Sequence, residues 1–271
     1  MKKFINYTIL IFASATMIAP FLIMVLISLS NQNQLSYTDI GGILHNLTLK
    51  NYSHVANTIP IKRYFFNSCV VSVLTTVGQI IVSTLAGYAF ARMKFKGRNL
   101  IFFIILITMF IPPQVNIIPL FFLMRELHLI NSFPALILPG VFGGFGIFLM
   151  RQHFLSFPKE LEDASIIDGC NKFQTFIKIV CPLALPAITT LAVFTFITSW
   201  NSFIWPLIIT NTENMMTLPL GLAIFKGSYR EIIEWGDLLA CAVICTIPII
   251  IIFLFGQRFI MNDMLKGGVK E

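Results

Sequence analysis

"YFFNSCVVSVLTTVGQIIVSTLAGYAFA", residues 64–91, is a run of 28 residues with no Asp, Glu, Lys or Arg. It stops at "RMKFKGRN", residues 92–99, where Arg92, Lys94, Lys96 and Arg98 follow in quick succession. A helix rises about 1.5 Å per residue, so roughly 20 uncharged, mainly apolar residues cover the hydrocarbon core of a bilayer. A soluble core helix rarely stays charge-free over such a length. The run reads as a membrane-crossing helix that ends at a basic edge.

Five further stretches share the pattern: residues 4–38, 99–124, 127–150, 179–212 and 238–257 carry no charged side chain. The whole chain is 56% hydrophobic and 11% charged, with a mean hydropathy of +0.83. Soluble domains carry about a quarter charged residues. The fold class predicted is all-α, a polytopic membrane protein with six transmembrane helices, at about 7–29, 65–91, 99–124, 131–151, 182–210 and 238–261. Residues 1–271 read as a single transmembrane domain, with no low-complexity tract or linker inside it. The start, "MKKFINYTILIFASATMIAP", has the look of a signal peptide, but its apolar run continues to Leu29 and reads as an uncleaved first helix.

Orientation comes from the basic residues between spans. Counting alternate segments from the N-terminus, thirteen Lys and Arg lie on one side and six on the other, while the acids divide six and six. The basic excess marks the cytoplasmic side, so both termini are expected inside a bacterial cell membrane. The net charge of +7 therefore reports topology, and no nucleic-acid partner is implied.

Several chemistries find no support. There is no GxxxxGK[ST] phosphate loop, no G-x-S-x-G and no H-E-x-x-H. Cys241 and Cys245 sit one helical turn apart without a histidine spaced to complete a metal site, and all five cysteines read as small packing residues. No catalytic residue, metal or cofactor is expected. In the third predicted span, "IPPQVNIIP" places Pro112, Pro113 and Pro119 where a helix needs its N–H groups, so a kink is expected. Carbonyls freed at membrane depth are tolerated when buried in protein or lining a wet cavity, and the sequence leaves both open. "GGFG" in the fourth span allows close helix contact.

The acids are concentrated in one place. Glu160, Glu162, Asp163 and Asp168 all fall within "ELEDASIIDG", residues 160–169, in the longest inner loop, residues 151–181. Ser156 and Pro158 read as a helix start, with acids in the positively polarised first turns. Asp168–Gly169 reads as a stop, and Asn171 with Gln174 has the form of a capping box that begins a second helix. Phe173, Phe176, Ile177 and Val180 then fall on one predicted apolar face. A metal or catalytic carboxylate site would want a pocket and a nucleophile or histidine. A solvated loop and a docking helix for a cytosolic partner are the remaining readings.

"LEDASIIDGCNKFQTFIKIVCPLALPAI", residues 161–188, resembles the EAA loop of binding-protein-dependent ABC importer permeases. Asp163, Ala164 and Ser165 take the Glu-Ala-Ala positions, with Glu162 just before them, and Asp168 and Gly169 take the Asp-Gly. "FNSCVVSVLTT", "FKGRNLIFFIILITMFIPPQVNIIPL", "SWNSFIWPLI", "TLPLGL" and "IPIIIIFLFGQRFI" extend the likeness along nearly the whole chain, toward the carbohydrate-uptake branch and its lactose, arabino-oligosaccharide and multiple-sugar permeases. The tail "MNDMLKGGVKE" departs from the glycine-rich ending of that branch. The resemblance implies one membrane subunit of a sugar importer, of ABC importer type I form. It implies as partners a homologous second permease, two cytosolic ATPase subunits that hydrolyse the ATP, an extracytoplasmic sugar-binding protein, the sugar and membrane lipid. It assigns ATPase coupling to Glu162, Asp163, Ala164, Ser165, Asp168 and Gly169.

Uncharged polar and aromatic residues suit sugar contact, so Trp200, Asn201, Ser202 and Trp205 are candidates for the translocation path. Packing or interfacial anchoring of the two tryptophans is the alternative. A self-sufficient passive channel or carrier is the rival function. It fits the lack of charges within the spans, which also argues against an ion-coupled mechanism.

Overall fold

The computed structural model describes residues 2–30, 47–228 and 235–268, and the side chains of residues 3–30, 47–224 and 235–259. Every regular element among them is helical, and the sole strand-like pairing is an isolated bridge between Ser30 and Leu47. This follows from the composition. Where lipid offers no hydrogen bonds, a backbone must satisfy its own polar groups, and a helix does so within one segment.

In chain order the elements are α1 (Lys2–Ser28), α2 (Lys50–Thr58), α3 (Ile61–Arg92), α4 (Arg98–Thr108), α5 (Ile117–Glu126), α6 (Phe133–Val141) and α7 (Gly144–Leu155). After them come α8 (Glu160–Ile167), α9 (Lys172–Thr175), a π turn (Phe176–Val180), α10 (Cys181–Leu183), α11 (Leu185–Trp200), α12 (Ile204–Ile209), α13 (Leu218–Ser228) and α14 (Trp235–Gly268). Three helices, α1, α3 and α14, are each long and apolar enough to cross a bilayer alone. Three bent pairs raise the number to six: α4 with Pro113–Glu126 at 95°, α6 with α7 at 41°, and Lys172–Leu183 with α11 at 74°.

The bends mark where continuous predicted spans give way to broken ones. The third span stops at Thr108 and resumes through a 3₁₀ turn, Pro113–Asn116. Pro112 is extended, with ψ 132°, because the residue before a proline is pushed out of the helical region and here Pro113 follows. The fifth span ends at Trp200 instead of running to residue 210. Pro206 has no N–H and its ring would clash with the carbonyl four residues back, so the chain restarts at α12. Two helices also stand in the polar segments, where sequence suggested only loops: α2 and α13.

The chain forms two compact units, residues 1–66 with 217–249 and residues 67–216 with 250–271. In the first, α2 is fastened to the end of α1. Asn51 Nδ2 donates to the carbonyls of Ser28 (2.9 Å) and Ser30 (2.8 Å), and the Tyr52 and Ser28 hydroxyls meet at 2.7 Å. The last carbonyls of a helix have no partner inside it, so the asparagine supplies what α1 lacks. His54 Nδ1 pairs with the carboxylate of Asp237, which is buried in the first turn of α14.

In the second unit, the part of α3 from Asn67 onward packs along α6 and α7 through glycines on both sides. A Cβ on Gly87 would fall 2.6 Å from Met150 Cβ and 2.9 Å from the Arg151 nitrogen, and one on Gly140 would strike Thr75. One cluster of buried side chains joins Tyr88, Met150, Phe154, Phe176, Val180 and Leu191. It sits where α3, α7, the π turn and α11 converge, directly beneath the acidic loop.

Candidate functional site

The acidic loop is built from short-range signals. Glu160, Glu162 and Asp163 occupy the first turn of α8, where the helix dipole favours negative charge. Ser156 does not cap this helix, contrary to the sequence-based expectation. It closes α7 instead, donating from Oγ to the His153 carbonyl at 2.7 Å, and Lys159 holds the N-cap position of α8. The stop is as expected. Gly169 has φ +83°, its N–H donates to the Ile166 carbonyl (3.0 Å), and the Cys170 N–H donates to the Ser165 carbonyl (2.9 Å). This is a Schellman end, and a left-handed glycine makes it at no steric cost. The capping box is complete: the Gln174 N–H donates to Asn171 Oδ1 and the Asn171 N–H to Gln174 Oε1, both at 2.9 Å.

The predicted single apolar face over residues 173–180 divides. Phe176 and Val180 are buried, whereas Phe173 and Ile177 are exposed. The π turn explains this, since five residues closing one turn break the i, i+3, i+4 register. Phe173, Ile166 and Ile167 are exposed, the two isoleucines at 61% and 86%, as are the acids Asp163 and Asp168. Sequence reasoning passed over Ile166 and Ile167, although two adjacent isoleucines ending an acidic helix are a signal of contact with a partner.

The two helices are locked together from inside. Ser165 is fully buried, and its hydroxyl lies 2.7 Å from that of Thr175 while reaching the Glu162 carbonyl at 2.6 Å. Thr175 in turn reaches the Asn171 carbonyl at 3.1 Å. A serine thus stands where the motif has alanine because a threonine faces it across the turn. Glu162 points the other way. Its Oε1 lies 3.0 Å from Arg92 Nε, at the end of α3, and Arg92 Nη2 donates to the Phe157 carbonyl at 2.6 Å. Tyr88, one turn earlier, sets its ring against Phe154 (5.7 Å between centroids) and Phe176 (5.0 Å). Of the six coupling candidates, Asp163, Ala164, Asp168 and Gly169 are exposed, Ser165 is buried and Glu162 is engaged by Arg92.

The path candidates stand apart from this loop, at and after the end of α11. Trp200 is 1% exposed and stacks on Phe196 at an interplanar angle of 17°. Asn201 and Ser202 lie in the break between α11 and α12, Asn201 exposed and Ser202 partly so. Trp205 donates from Nε1 to the Ala135 carbonyl at 2.9 Å. In this structure both indoles are therefore engaged in packing, and of the four candidates Asn201 and Ser202 offer polar groups at a break.

Residues 79–266 match the family model described as the binding-protein-dependent transport system inner membrane component. The chain belongs to that family. Among its relatives, the arabinooligosaccharides transport system permease protein AraQ of Halalkalibacterium halodurans is 37% identical over 93% of this chain and 90% of its own length. The trehalose/maltose transport system permease protein MalG of Thermococcus litoralis is 33% identical over 93% and 91%. In fold, this permease resembles a chain in the crystal structure of a bacterial ABC transporter involved in the import of the acidic polysaccharide alginate. The TM-score is 0.80, with 24% identity over 95% of this chain and 96% of the other. The match begins well inside α3 and takes in the acidic loop, α11 and most of α14.

Proposed function

We propose that this chain forms half of the translocation path of an ATP-driven importer for an oligosaccharide or related sugar. A homologous permease supplies the other half, two cytosolic ATPase subunits supply the power, and an extracytoplasmic binding protein delivers the sugar. Both termini and the loop at residues 151–181 face the cytoplasm, as the thirteen-to-six distribution of basic residues supports. The permease domain occupies the whole chain, residues 1–271.

One observation carries the coupling role. Helix α8 presents Asp163, Asp168, Ile166 and Ile167 outward, yet is held from behind by Ser165, Glu162 and the Gly169 turn. A short helix with an exposed, mixed apolar and acidic face and a fixed base suits insertion into a groove on a separate subunit. Closure of the ATPase pair then pushes the helix, and the fixed base passes the push on. The sugar class rests on the relatives, which serve an arabinooligosaccharides and a trehalose/maltose transport system. Asn201 and Ser202 are the residues proposed to meet it.

The test is sugar uptake, membrane abundance and ATPase co-purification for Asp163→Lys and Gly169→Asp in the complete importer. Charge reversal on the docking face and a side chain at a left-handed position are each expected to lower uptake at least tenfold with the six spans still inserted. Wild-type uptake by both variants at normal abundance would reduce the loop to a solvated connection.

A further inference from the structure

The clasp between Arg92 and the acidic loop has no counterpart among the other basic residues at that edge. Lys94 and Lys96 are exposed, as expected of residues that mark the inner face of a membrane. Arg92 is not. Its side chain is only 8% exposed, and it holds two acceptors on the two sides of Pro158: the Phe157 carbonyl, just before α8, and the Glu162 carboxylate within it. A buried guanidinium needs such partners: Nη2 hydrogen-bonds the Phe157 carbonyl, while Nε and Glu162 Oε1 form an ion pair at 3.0 Å without hydrogen-bond alignment. Tyr88 extends the contact to the far side of the loop through Phe176. The last two turns of α3 thus touch the segment entering α8, α8 itself and the segment leaving it. By contrast, the backbone joins α8 to α7 through residues 156–159 and to α9 through the turn at Gly169, which a single dihedral pair can bend, and the Ser165–Thr175 contact ties α8 only to α9.

We propose that Arg92 is the positioning residue that carries displacement of the docking helix α8 into the spanning helix α3, through its pairing with Glu162. This rests on the docking role given to α8 above. The physical reasoning is that a push on α8 reaches the membrane only through contacts that resist shear. An ion pair flanked by a hydrogen bond on the same guanidinium resists sliding in two directions, whereas the Tyr88–Phe176 ring contact allows slip. Glu162 therefore acts inward, toward α3, and its neighbours Asp163, Ile166, Ile167 and Asp168 face the ATPase.

The experiment compares the wild type with R92Q, R92K, E162Q, the exchange variant R92E/E162R and D163K. Each is purified in the complete importer and placed in proteoliposomes with its binding protein. Sugar moved per ATP hydrolysed is measured with labelled arabinotriose or maltose, whichever the wild type accumulates. A residue needed only for folding changes abundance and leaves that ratio alone. R92Q and E162Q are expected to keep the ATPase bound and hydrolysing while the ratio falls about tenfold. R92K, which keeps the charge and loses the fork, is expected to stay at least threefold below wild type. The exchange is expected to recover at least threefold over R92Q. A ratio within twofold of wild type in both R92Q and E162Q overturns the relay, as does an exchange variant no better than R92Q. Loss of the ATPase from R92Q also overturns it, since Arg92 would then be shaping the docking surface. If R92Q does not accumulate, E162Q gives the same reading, because Glu162 is partly exposed and glutamine keeps its shape. D163K separates the two levels: a defect there with normal R92Q and E162Q defeats the relay alone, while normal uptake by D163K defeats the docking role on which it rests.

Discussion

Gly87→Ala tests the close approach of α3 to α7. The new Cβ would lie 2.6 Å from Met150 Cβ, 2.9 Å from the Arg151 backbone nitrogen and 3.1 Å from the Met150 carbonyl carbon. Carbon atoms prefer about 3.5–4.0 Å, so the overlap is about 1 Å. Two of the three obstacles are backbone, so no rotamer change relieves them. Overpacking costs about 1–3 kcal/mol, and the immovable obstacles put this case near the upper figure. Replacing a mid-helix glycine by alanine returns about 1 kcal/mol of helix propensity. The net loss is about 2 kcal/mol. At about 2–4 °C per kcal/mol for a chain of this size, the temperature of half-loss should fall by about 4–8 °C. The assay is heating in detergent followed by size exclusion of the remaining monodisperse permease. Gly169→Ala is the control: φ is +83° there but nothing lies within 4 Å of the added carbon, so only about 1 kcal/mol of backbone strain applies. A Gly87→Ala protein that melts at or above the wild-type temperature would refute the close approach and the packing argument with it.

Three further outcomes are expected. Asn171→Ala removes the Oδ1 acceptor of the Gln174 N–H, one of the two 2.9 Å bonds of the capping box, at a cost of about 1 kcal/mol, so the Gln174 amide should exchange with deuterium faster while α11 stays protected. Trp205→Phe leaves the Ala135 carbonyl without its donor; about 1 kcal/mol of stability should go, with no change in the sugar concentration for half-maximal uptake, and a changed value would put Trp205 in the path. Single cysteines introduced in a background lacking the native five should show an impermeant maleimide reaching S228C but not K172C in intact cells, and the reverse pattern would invert the topology.

How legible the sequence was depends on the range of the forces involved. The run at residues 64–91 became Ile61–Arg92 because charge and hydropathy alone set such a helix. The Gly169 stop and the Asn171–Gln174 box were readable because capping acts within four residues. The prolines at 112, 113 and 119 gave notice of disruption while Pro206 was passed over, and the size of each bend depends on what packs against it, as Gly143 and Gly144 at the α6–α7 break illustrate. Helices α2 and α13 escaped notice because their apolar residues meet partners far away in sequence, such as Tyr64 against Gly221. The same distance hid the Arg92–Glu162 pair and the His54–Asp237 pair. Each looked like an isolated charge on a loop until the fold brought its partner to it.

The π turn at Phe176–Val180 sets a compass bearing for the docking helix. The Cys181 N–H reaches back five residues to the Phe176 carbonyl, so this turn holds one residue more than an α-helical turn would. Each residue of an α-helix advances the azimuth by about 100°. Deleting one residue between 176 and 180 would let the turn relax to α geometry with the azimuth nearly kept, whereas inserting one there would leave a second residue with no wide turn to absorb it and would swing everything upstream by about that angle around the axis leading into α10. Asp163 and the two isoleucines would then aim elsewhere while Asn171, Gly169 and every span kept its own residues. The aim of the loop is written in a residue count rather than in any one side chain, so a library of substitutions would pass over it, whereas a scan of single-residue deletions and insertions would find it at once.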